Sequence, residues 1–400
     1  MPGFARRLGR TQLTASVQVM MRARELREQG ARVISLAIGE PDFASPPHAI
    51  EAAYQAAWRG ETKYPPQDGT KALKDAVIRK FRRDNGLAFE PDEVIISNGA
   101  KQAIYSALMA TLDHGDEVII PAPFWNAYPL MTRLVGGEPV FVACPQNNGF
   151  KPRPEDIEAA ITPRTKWLIL NLPNNPSGAA CTREELQAIA DVLGRHPHVW
   201  IMADQIYEHL CYGGFTHHSI AEIEPALRDR TLTVSGVSKT YAMTGWRVGF
   251  AGGPRSLIKA MVNVQSHATA GISSIGQAAA AAALDGPQEG VAAQAATYQR
   301  RRDLVVDRLN ACPGLNCHKP EGAFYVFPNI AGCLGMTTEG GRRLETDQDF
   351  SLAVLEEQHV GLVHGGSFGM SPYFRISYAT DEASLEEACR RIRQFCAALY

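Results

Sequence analysis

The sequence predicts an α/β protein whose large domain has a mostly parallel sheet covered by helices, followed by a smaller α+β domain. Two observations indicate this fold class. Short apolar segments alternate with helix-like segments through the middle of the chain, and they are apolar throughout, as parallel strands buried on both faces are. In addition, 400 residues with 45% apolar side chains are enough for two or three domains.

The large domain is predicted over residues 49–290, after an amino-terminal segment, residues 1–48, that packs with the small domain. The amino-terminal segment contains a helical stretch at 17–30. In chain order, the large domain has a predicted strand at 93–97, a helix at 101–112, strands at 116–122, 138–143 and 165–171, a helix at 184–193, strands at 198–204 and 230–236, and an alanine-rich helix around 278–283. Strands that alternate with helices favour a doubly wound sheet.

The small domain is predicted over residues 291–400, where the pattern changes. It begins with a charged helix at 297–310, continues with strands at 324–330, 359–366 and 373–379, and closes with a helix at 382–399. The polar segment 340–349 is predicted to be a solvated loop. Strands grouped between helices are typical of an α+β arrangement.

Composition excludes several classes of function. Forty Lys and Arg against 42 Asp and Glu give a net charge of −2 without long runs of either sign, so we expect no nucleic-acid or membrane partner. No apolar run reaches the roughly 18 residues that span a bilayer, and the amino terminus lacks the apolar core of a signal peptide. Eight cysteines without a CxxC pair suit a reducing cytoplasm, and we expect no metal site.

One motif points to a different enzyme class. Residues 365–369 (GGSFG) match the G-x-S-x-G nucleophile elbow of serine hydrolases, with Ser367 as the nucleophile. That elbow requires a helix directly after the serine, whereas Pro372 and a predicted strand follow here. We therefore interpret the segment as a glycine-rich turn and keep the hydrolase as an alternative from another class. A non-catalytic regulator of the same fold is a further alternative, although no DNA-binding segment is present.

Charged side chains follow the predicted strands of the large domain. Asp204 ends strand 198–204, and Lys239 and Arg247 follow strand 230–236. Because the carboxyl ends of parallel strands form the ligand crevice of such a sheet, this carboxylate can pair with a cation, the lysine can act as a nucleophile, and the arginine can bind phosphate. Taken singly, they can equally be a helix cap and surface cations.

Other candidate side chains accompany them. The turn 98–101 (NGAK) joins a strand to a helix and can hold a phosphate at the helix amino terminus. The adjacent aromatic residues Phe124 and Trp125 can stack on a flat ring or pack in the core. Asn175 lies in a turn, and Arg375 alternates with apolar neighbours, so it can bind a carboxylate or lie on an exposed edge strand. Together these groups meet the needs of pyridoxal phosphate bound through a lysine.

The sequence also resembles a known family. It is similar to the aspartate aminotransferase group of fold type I pyridoxal-phosphate enzymes, of the bacterial aspartate or aspartate/prephenate type, over essentially the whole chain. The segments that carry the resemblance are AIGEPDF (37–43), TKYPPQDG (62–69), NGAKQA (98–103), PAPFWNAYP (121–129), NLPNNPSGA (171–179), ADQIYEHL (203–210), SGVSKTYAMTGWRVGF (235–250), EGAFYVFP (321–328) and FRISYAT (374–380).

The resemblance implies a role for each matching residue. Lys239 forms the Schiff base with the cofactor and later moves the substrate proton, Asp204 pairs with the pyridine nitrogen, and Asn175 and Tyr207 bind the ring hydroxyl oxygen. Trp125 stacks on the ring. The phosphate is held by Gly99, Ala100, Lys101, Ser238, Arg247 and, from the partner subunit of a homodimer, Tyr64.

The resemblance also implies how substrate binds. Arg375, the Gly39 backbone and Asn175 bind the α-carboxylate beside Trp125. Close relatives bind the distal carboxylate of aspartate through residues that match Thr14, Ser16 and Lys101, which favours transfer of the amino group from L-aspartate to 2-oxoglutarate in ping-pong fashion. The alternatives on this fold are prephenate, aromatic, alanine or methionine specificity, or a carbon–sulfur lyase. Relatives that accept prephenate usually carry lysine where this chain has Gln12.

Overall fold

The structure is a computed structural model that describes residue 5, residues 8–9 and residues 15–400. The helices of this part are α1 (Ala15–Glu28), α2 (Pro47–Trp58), α3 (Lys71–Asn85), α4 (Ala100–Thr111), α5 (Ala127–Leu134), α6 (Pro154–Ala160), α7 (Arg183–Gly194), α8 (Ile220–Ile223), α9 (Val237–Thr240), α10 (Arg255–Ser266), α11 (Ser274–Asp285), α12 (Glu289–Asn310), α13 (Asp347–Gln358) and α14 (Glu382–Ala397). Its strands are β1 (Ile34–Ser35), β2 (Val94–Asn98), β3 (Glu117–Ala122), β4 (Glu138–Ala143), β5 (Thr165–Asn171), β6 (Trp200–Asp204), β7 (Thr231–Gly236), β8 (Val248–Gly252), β9 (Tyr325–Val326), β10 (Val360–Gly361), β11 (Val363–His364) and β12 (Phe374–Ser377).

The central sheet has seven strands in the order β2-β8-β7-β6-β5-β3-β4. Strand β8 is antiparallel to both of its neighbours, and the other pairs are parallel. Side chains of β5 alternate between two hydrophobic cores: Trp167 and Ile169 lie in one, and Leu168 and Leu170 in the other. Because alternate residues of a strand face opposite sides of a sheet, both faces are covered. The predicted fold class is therefore confirmed.

The carboxyl-terminal part contains a three-stranded sheet in the order β11-β12-β9, and its strand β10 pairs in parallel with β1 of the amino-terminal segment. Its core includes Phe324, Phe350, Phe374 and Ile392, together with Tyr207 from the segment after β6. The side chains of the segment that bears Tyr207 thus pack against the carboxyl-terminal part. The division into segments 1–48, 49–290 and 291–400 stays a prediction.

Several elements of this part differ from the sequence prediction. The predicted strand at 359–366 is two short strands, β10 and β11, and that at 324–330 is only the two residues of β9. The predicted loop 340–349 is wrong at its end, since α13 begins at Asp347 with a capping box formed by Thr346 and Asp349, and Leu344 is buried. In the described part of the chain, no helix is long and apolar enough to cross a membrane.

Candidate active site

The strands β5, β6 and β7 end side by side and define one edge of the sheet. Asn171, the last residue of β5, is paired with Asp204, the last residue of β6, and Asp204 is paired with Val234 on β7. The short helix α9 follows β7 directly and carries Ser238 and Lys239. Parallel topology therefore brings together groups that are far apart in the sequence, as expected for an open α/β sheet.

A cavity of about 330 Å³ lies at this edge. Of the predicted site residues, those that line it are Ser16, Gly39, Ala100, Lys101, Trp125, Asn175, Asp204, Tyr207, Ser238, Lys239, Arg247 and Arg375. They come from the amino-terminal segment, from several strand ends and from β12. The cavity thus has both cationic and aromatic walls, with a single carboxylate, Asp204, among its predicted residues.

The Lys239 amine is held in a largely apolar and cationic setting. Its Nζ donates a hydrogen bond of 2.7 Å to the backbone oxygen of Gly39 and lies 5.9 Å from the centre of the Phe324 ring. Burial lowers the pKa of Lys239 to about 8, against an opposing effect of Glu40 and with further lowering by Arg375 and other nearby cations. A neutral amine is consequently available near physiological pH, as a nucleophile or base requires.

Asp204 is a buried carboxylate with two hydrogen-bond donors. The Tyr128 hydroxyl donates to Oδ2 at 2.6 Å, and the Ile206 backbone N–H donates to Oδ1 at 3.2 Å. Burial raises the pKa of Asp204 to about 6, although both hydrogen bonds and the charge of Lys239 act in the opposite direction. A cation bound in the cavity would favour the charged form of this group.

Arg375 lies on β12 and its guanidinium is buried. One Nη donates to Asn175 Oδ1 at 3.0 Å, and the other donates to the backbone oxygen of Ala37 and, at 3.5 Å, to Ser16 Oγ. Its Nε has no hydrogen-bond partner among the described residues. The rings of Tyr325 and Phe368 lie 4.7 and 4.9 Å from the guanidinium carbon. A fixed, partly unsatisfied guanidinium suits a carboxylate ligand.

The turn between β2 and α4 forms a second anion-binding wall. Gly99 has a φ of 76° and precedes the first turn of α4, whose N–H groups have no acceptor within the helix. A Cβ at Gly99 would lie 2.4 Å from an Nη of Arg247, so glycine is needed for the guanidinium to approach the helix start. Arg247 itself is anchored to the Thr244 backbone oxygen at 2.9 Å.

Aromatic side chains complete the cavity. Trp125 lines it with the Lys101 amine 4.9 Å from its ring centre, whereas the adjacent Phe124 is buried in the core and stacks on Phe141. The Tyr207 hydroxyl is 2.9 Å from the Tyr325 hydroxyl. Trp125 and Phe124 therefore divide the two roles that the sequence left open.

Three of the predicted site residues lie elsewhere or cannot be described. Gly99 does not itself line the cavity but contacts Arg247, which does. Tyr64 is 93% exposed and lines a separate surface cavity next to residues 269–275. Thr14, like Gln12, lies outside the described residues.

Ser367 belongs to a short 3-10 turn, Gly365–Phe368, and its hydroxyl donates to the backbone oxygen of His364, so it is not on a nucleophile elbow.

Sequence reasoning missed several cavity residues, and three of them are Asn171, Tyr128 and Tyr325. Asn171 holds two backbone groups, since its Nδ2 donates to the Asp204 oxygen at 3.2 Å and its Oδ1 accepts from the Asn175 N–H at 2.9 Å. All three residues lie in segments that carry the family resemblance. Asn171 could have been found because it is a polar residue that ends an apolar strand. Tyr128 could have been found because it lies only three residues after the candidate Trp125.

Comparisons with known proteins give consistent results. The family model for class I and II aminotransferases matches residues 31–392. The aspartate aminotransferase of Rhizobium meliloti (strain 1021) is 52% identical over 392 residues, which are 98% of this chain and 96% of that protein. The aspartate/prephenate aminotransferase of Cereibacter sphaeroides is 53% identical over 392 residues, 98% of each protein.

Solved structures are also similar. The crystal structure of the Rhizobium meliloti aspartate aminotransferase superposes with a TM-score of 0.98 at 51% identity and covers 100% of both chains. The structure of the Thermus thermophilus aspartate aminotransferase with maleate has a TM-score of 0.92 at 41% identity, and covers 99% of this chain and 100% of its own.

Proposed function

The chain belongs to the family of class I and II aminotransferases, and we propose that it is a pyridoxal-phosphate-dependent aminotransferase that moves the amino group of L-aspartate to 2-oxoglutarate. One observation carries the proposal. Lys239, Asp204 and Arg375 line the same cavity, which provides an amine, a partner for a pyridinium and a receptor for a carboxylate. The oxaloacetate and L-glutamate products follow from this transfer.

The residues of the cavity fit the cofactor. The start of α4, Arg247 and Ser238 form the phosphate cradle, whose shape requires the missing Cβ of Gly99. Trp125 provides a flat wall for the pyridine ring. When bound, pyridoxal phosphate supplies an electron sink for charge that develops at the substrate α-carbon.

Lys239 has the properties of the amine that holds the cofactor and transfers the proton. Its lowered pKa of about 8 keeps a neutral fraction at physiological pH, and the Gly39 backbone oxygen directs its Nζ. Once it is released by the substrate amine, the same group would accept a proton from the substrate α-carbon and would donate it to the C4′ carbon of the cofactor. Asp204 pairs with the pyridine nitrogen, and Tyr207 and Asn175 bind the ring hydroxyl oxygen.

Substrate is oriented by its carboxylates. Arg375, whose guanidinium is buried, binds the α-carboxylate with Asn175 and the Gly39 backbone. Lys101 and Ser16 bind the distal carboxylate of aspartate. The Thermus thermophilus relative, solved with the dicarboxylate maleate, supports a substrate with two carboxylates.

An absorbance experiment tests cofactor and substrate together. The purified enzyme is expected to show a visible band of the lysine-bound cofactor that decreases with L-aspartate alone and returns with 2-oxoglutarate. A band that ignores aspartate but responds to phenylalanine, alanine or methionine would reject the aspartate specificity only. Pyruvate and ammonia released from cystathionine without a keto acid would reveal a lyase. No band after addition of pyridoxal phosphate would reject the enzyme proposal.

Substitution of the lysine tests the mechanism. We expect Lys239→Ala to lose the visible band and essentially all turnover, because no other amine is held at this position. Lys71→Ala, which removes an exposed amine, is the control. Retained turnover in Lys239→Ala with normal turnover in the control would contradict the role of Lys239.

We also propose that the protein is a homodimer with shared active sites. Ile50, Tyr54 and Trp58 form a stripe on α2, four residues apart, and are 49%, 56% and 73% exposed. With the 93% exposed Tyr64, they are apolar groups that a second copy would cover. Tyr64 then reaches the phosphate of the partner's cofactor. The eight free thiols support a reducing, cytoplasmic compartment.

Mixing two inactive variants tests the shared site. Lys239→Ala and Tyr64→Ala chains are unfolded, mixed and refolded. If each site takes Lys239 from one chain and Tyr64 from the other, a mixed dimer regains one complete site and its turnover. Absence of recovery, in a mixture that scattering shows to be dimeric, would place Tyr64 in its own chain's site or outside any site. A monomer by light scattering would reject the dimer.

A further inference from the structure

We propose that Tyr128 is a positioning residue that holds the Asp204 carboxylate charged and directed at the pyridine nitrogen of the cofactor. This inference depends on the proposed function, since it concerns how one member of that site is kept in its working state. Tyr128 lies at the start of α5 and lines the cavity. It acts through Asp204 rather than on the substrate.

The contact between the two residues is short and fully buried. The Tyr128 hydroxyl lies 2.6 Å from Asp204 Oδ2, and the exposed fractions of the two residues are 1% and 3%. Burial raises the pKa of Tyr128 well above its usual value, so the hydroxyl keeps its proton and acts as a donor. A hydrogen bond from a neutral donor stabilises the carboxylate form of an aspartic acid.

No other described side chain provides this stabilisation at bonding distance. The Ile206 N–H donates only to Oδ1, and no cation of the described residues lies within 4.0 Å of the carboxylate. Without the Tyr128 hydroxyl, Oδ2 would lose the one donor that the described residues give it. A buried carboxylate left with fewer donors shifts toward its neutral form. A neutral acid cannot form the ion pair that a protonated pyridine nitrogen requires.

Packing restricts the position of the hydroxyl. The Tyr128 ring meets Trp125 edge to face, with centres 5.2 Å apart. Because Trp125 is the proposed stacking surface for the cofactor, one side chain links the ring wall of the cavity to its carboxylate. The backbone of Asp204 is held separately, by Asn171 at 3.2 Å. Removal of the hydroxyl should therefore change the charge and direction of Asp204 without loosening β6.

The test measures cofactor affinity rather than turnover. The dissociation constant of the full-length enzyme for pyridoxal 5′-phosphate is measured by equilibrium dialysis for the wild type, Tyr128→Phe, Asp204→Asn and the double variant. We expect Tyr128→Phe to weaken binding by about 10- to 100-fold, the effect of one hydrogen bond to a charged group. On the Asp204→Asn background, Tyr128→Phe should weaken binding by less than about 3-fold, because the charge through which it acts is absent.

Tyr378→Phe is the matched control. Tyr378 is also fully buried and its hydroxyl donates to the Ala323 backbone oxygen at 3.1 Å, but it does not line the cavity. Loss of the Tyr378 hydroxyl should lower the thermal stability, as Tyr128→Phe does. It should leave the cofactor affinity within about 2-fold of the wild type.

The outcomes separate this inference from the proposed function. Equal cofactor affinity in the wild type and Tyr128→Phe overturns the inference alone. Equal weakening by Tyr128→Phe on both backgrounds shows that the tyrosine acts independently of Asp204 and also overturns it. A wild-type enzyme that binds no pyridoxal phosphate overturns the proposed function and the inference together. If Tyr128→Phe does not fold, Tyr128→Trp and Tyr128→Leu are compared in the same cycle, and additivity in both overturns the inference.

Discussion

Two buried polar regions of this protein differ in how their charges are compensated. The first is a cluster between α3 and the segment after β6, built on Lys80 and Glu208. The second is the cavity with Asp204, Lys239 and Arg375. They are adjacent along the chain, because Asp204 and Glu208 are only four residues apart.

In the first region the charges have partners. Lys80 Nζ lies 2.6 Å from Glu208 Oε1 and 2.6 Å from Asn85 Oδ1. Glu208 also accepts from Asn85 at 2.6 Å and from Ser235 at 2.7 Å. Burial by itself raises the pKa of Glu208, but Lys80 and two nearby histidines lower it to about 2, so the pair stays ionised.

In the cavity the described residues provide no counterion at bonding distance. Among the described residues, Lys239, Arg375 and Asp204 form no ion pair within 4.0 Å. The pKa of Lys239 is lowered and that of Asp204 raised, in both cases chiefly by burial. Opposite directions for an acid and a base mean that both charged forms are disfavoured until a ligand supplies compensating charge. A buried cluster whose charges are compensated thus stabilises the fold, whereas uncompensated charges at a cavity bind ligand.

The largest expected effect is a loss of stability in the cluster built on Lys80 and Glu208. Glu208→Gln leaves the Lys80 ammonium buried with Asp84, 3.8 Å away, as its nearest carboxylate. We expect a loss of about 3 kcal/mol or more in the free energy of unfolding, as for other broken buried pairs. Chemical denaturation measures it. A loss below about 1 kcal/mol would mean that the cluster is not stabilised by this pair.

The next effect concerns the substrate side of the cavity. Arg375→Lys keeps the positive charge but cannot form two parallel hydrogen bonds to a carboxylate. We expect KM for L-aspartate to rise by about 10- to 100-fold, or roughly 1.4–2.7 kcal/mol, with the cofactor still bound. Arg195→Lys is the control, since Arg195 forms a two-contact pair with Glu158 at 3.0 and 2.8 Å on the surface. An unchanged KM in Arg375→Lys would reject the assignment.

Substitution of Asp204 is expected to change the stability of the apoenzyme less than Glu208→Gln does, and to raise it rather than lower it. The pKa of Asp204 rises from 3.8 to about 6 on folding, so the folded apoenzyme binds more protons than the unfolded chain between these values. Stability is therefore lost as pH rises from about 4 to about 6, and the full penalty, roughly 3 kcal/mol for two pKa units, is present above pH 6.

Asp204→Asn removes this penalty but leaves one backbone or hydroxyl donor without an acceptor. We expect the apoenzyme to gain about 1 kcal/mol at pH 8, with a gain that shrinks as pH falls below 6, while cofactor affinity decreases. Thermal unfolding of wild type and variant at pH 5 and pH 8 measures the difference. The gain is the stability of the variant minus that of the wild type. A gain that is smaller at pH 8 than at pH 5 would contradict the burial of this charge.

The smallest effect is expected at an exposed pair on the same helix as Lys80. Lys71 Nζ and Asp75 Oδ2 are also 2.6 Å apart, but Lys71 is 89% exposed. Asp75→Asn should change stability by less than about 0.5 kcal/mol, because water and salt screen such pairs. The same denaturation assay compares it directly with Glu208→Gln. An equal loss in both would show that distance rather than burial sets the stabilisation.

Much of the large domain and of the site was predictable from the sequence. The strand 165–171 coincides with β5, and 138–143 with β4, because apolar runs bounded by polar residues depend on local pattern alone. Asp204 and Lys239 were candidates for a related reason, since Asp204 ends one strand and Lys239 follows another, and the carboxyl ends of both strands must lie at the ligand edge. The specific roles of Tyr64 and Ser16 came from the family resemblance and were not derivable from pattern.

The sequence by itself thus determined the fold class, six of the seven strands of the central sheet and the near balance of charge, and it placed charged residues at the carboxyl ends of strands. Only the tertiary structure decided that β8 runs antiparallel, that Trp125 enters the cavity while Phe124 packs in the core, that Arg375 meets Asn175, and that Tyr128 meets Asp204. The physical reason is the separation of the contacting residues along the sequence. Local hydrophobic pattern sets an element, but a contact between residues 76 or 200 positions apart depends on how all the intervening elements pack.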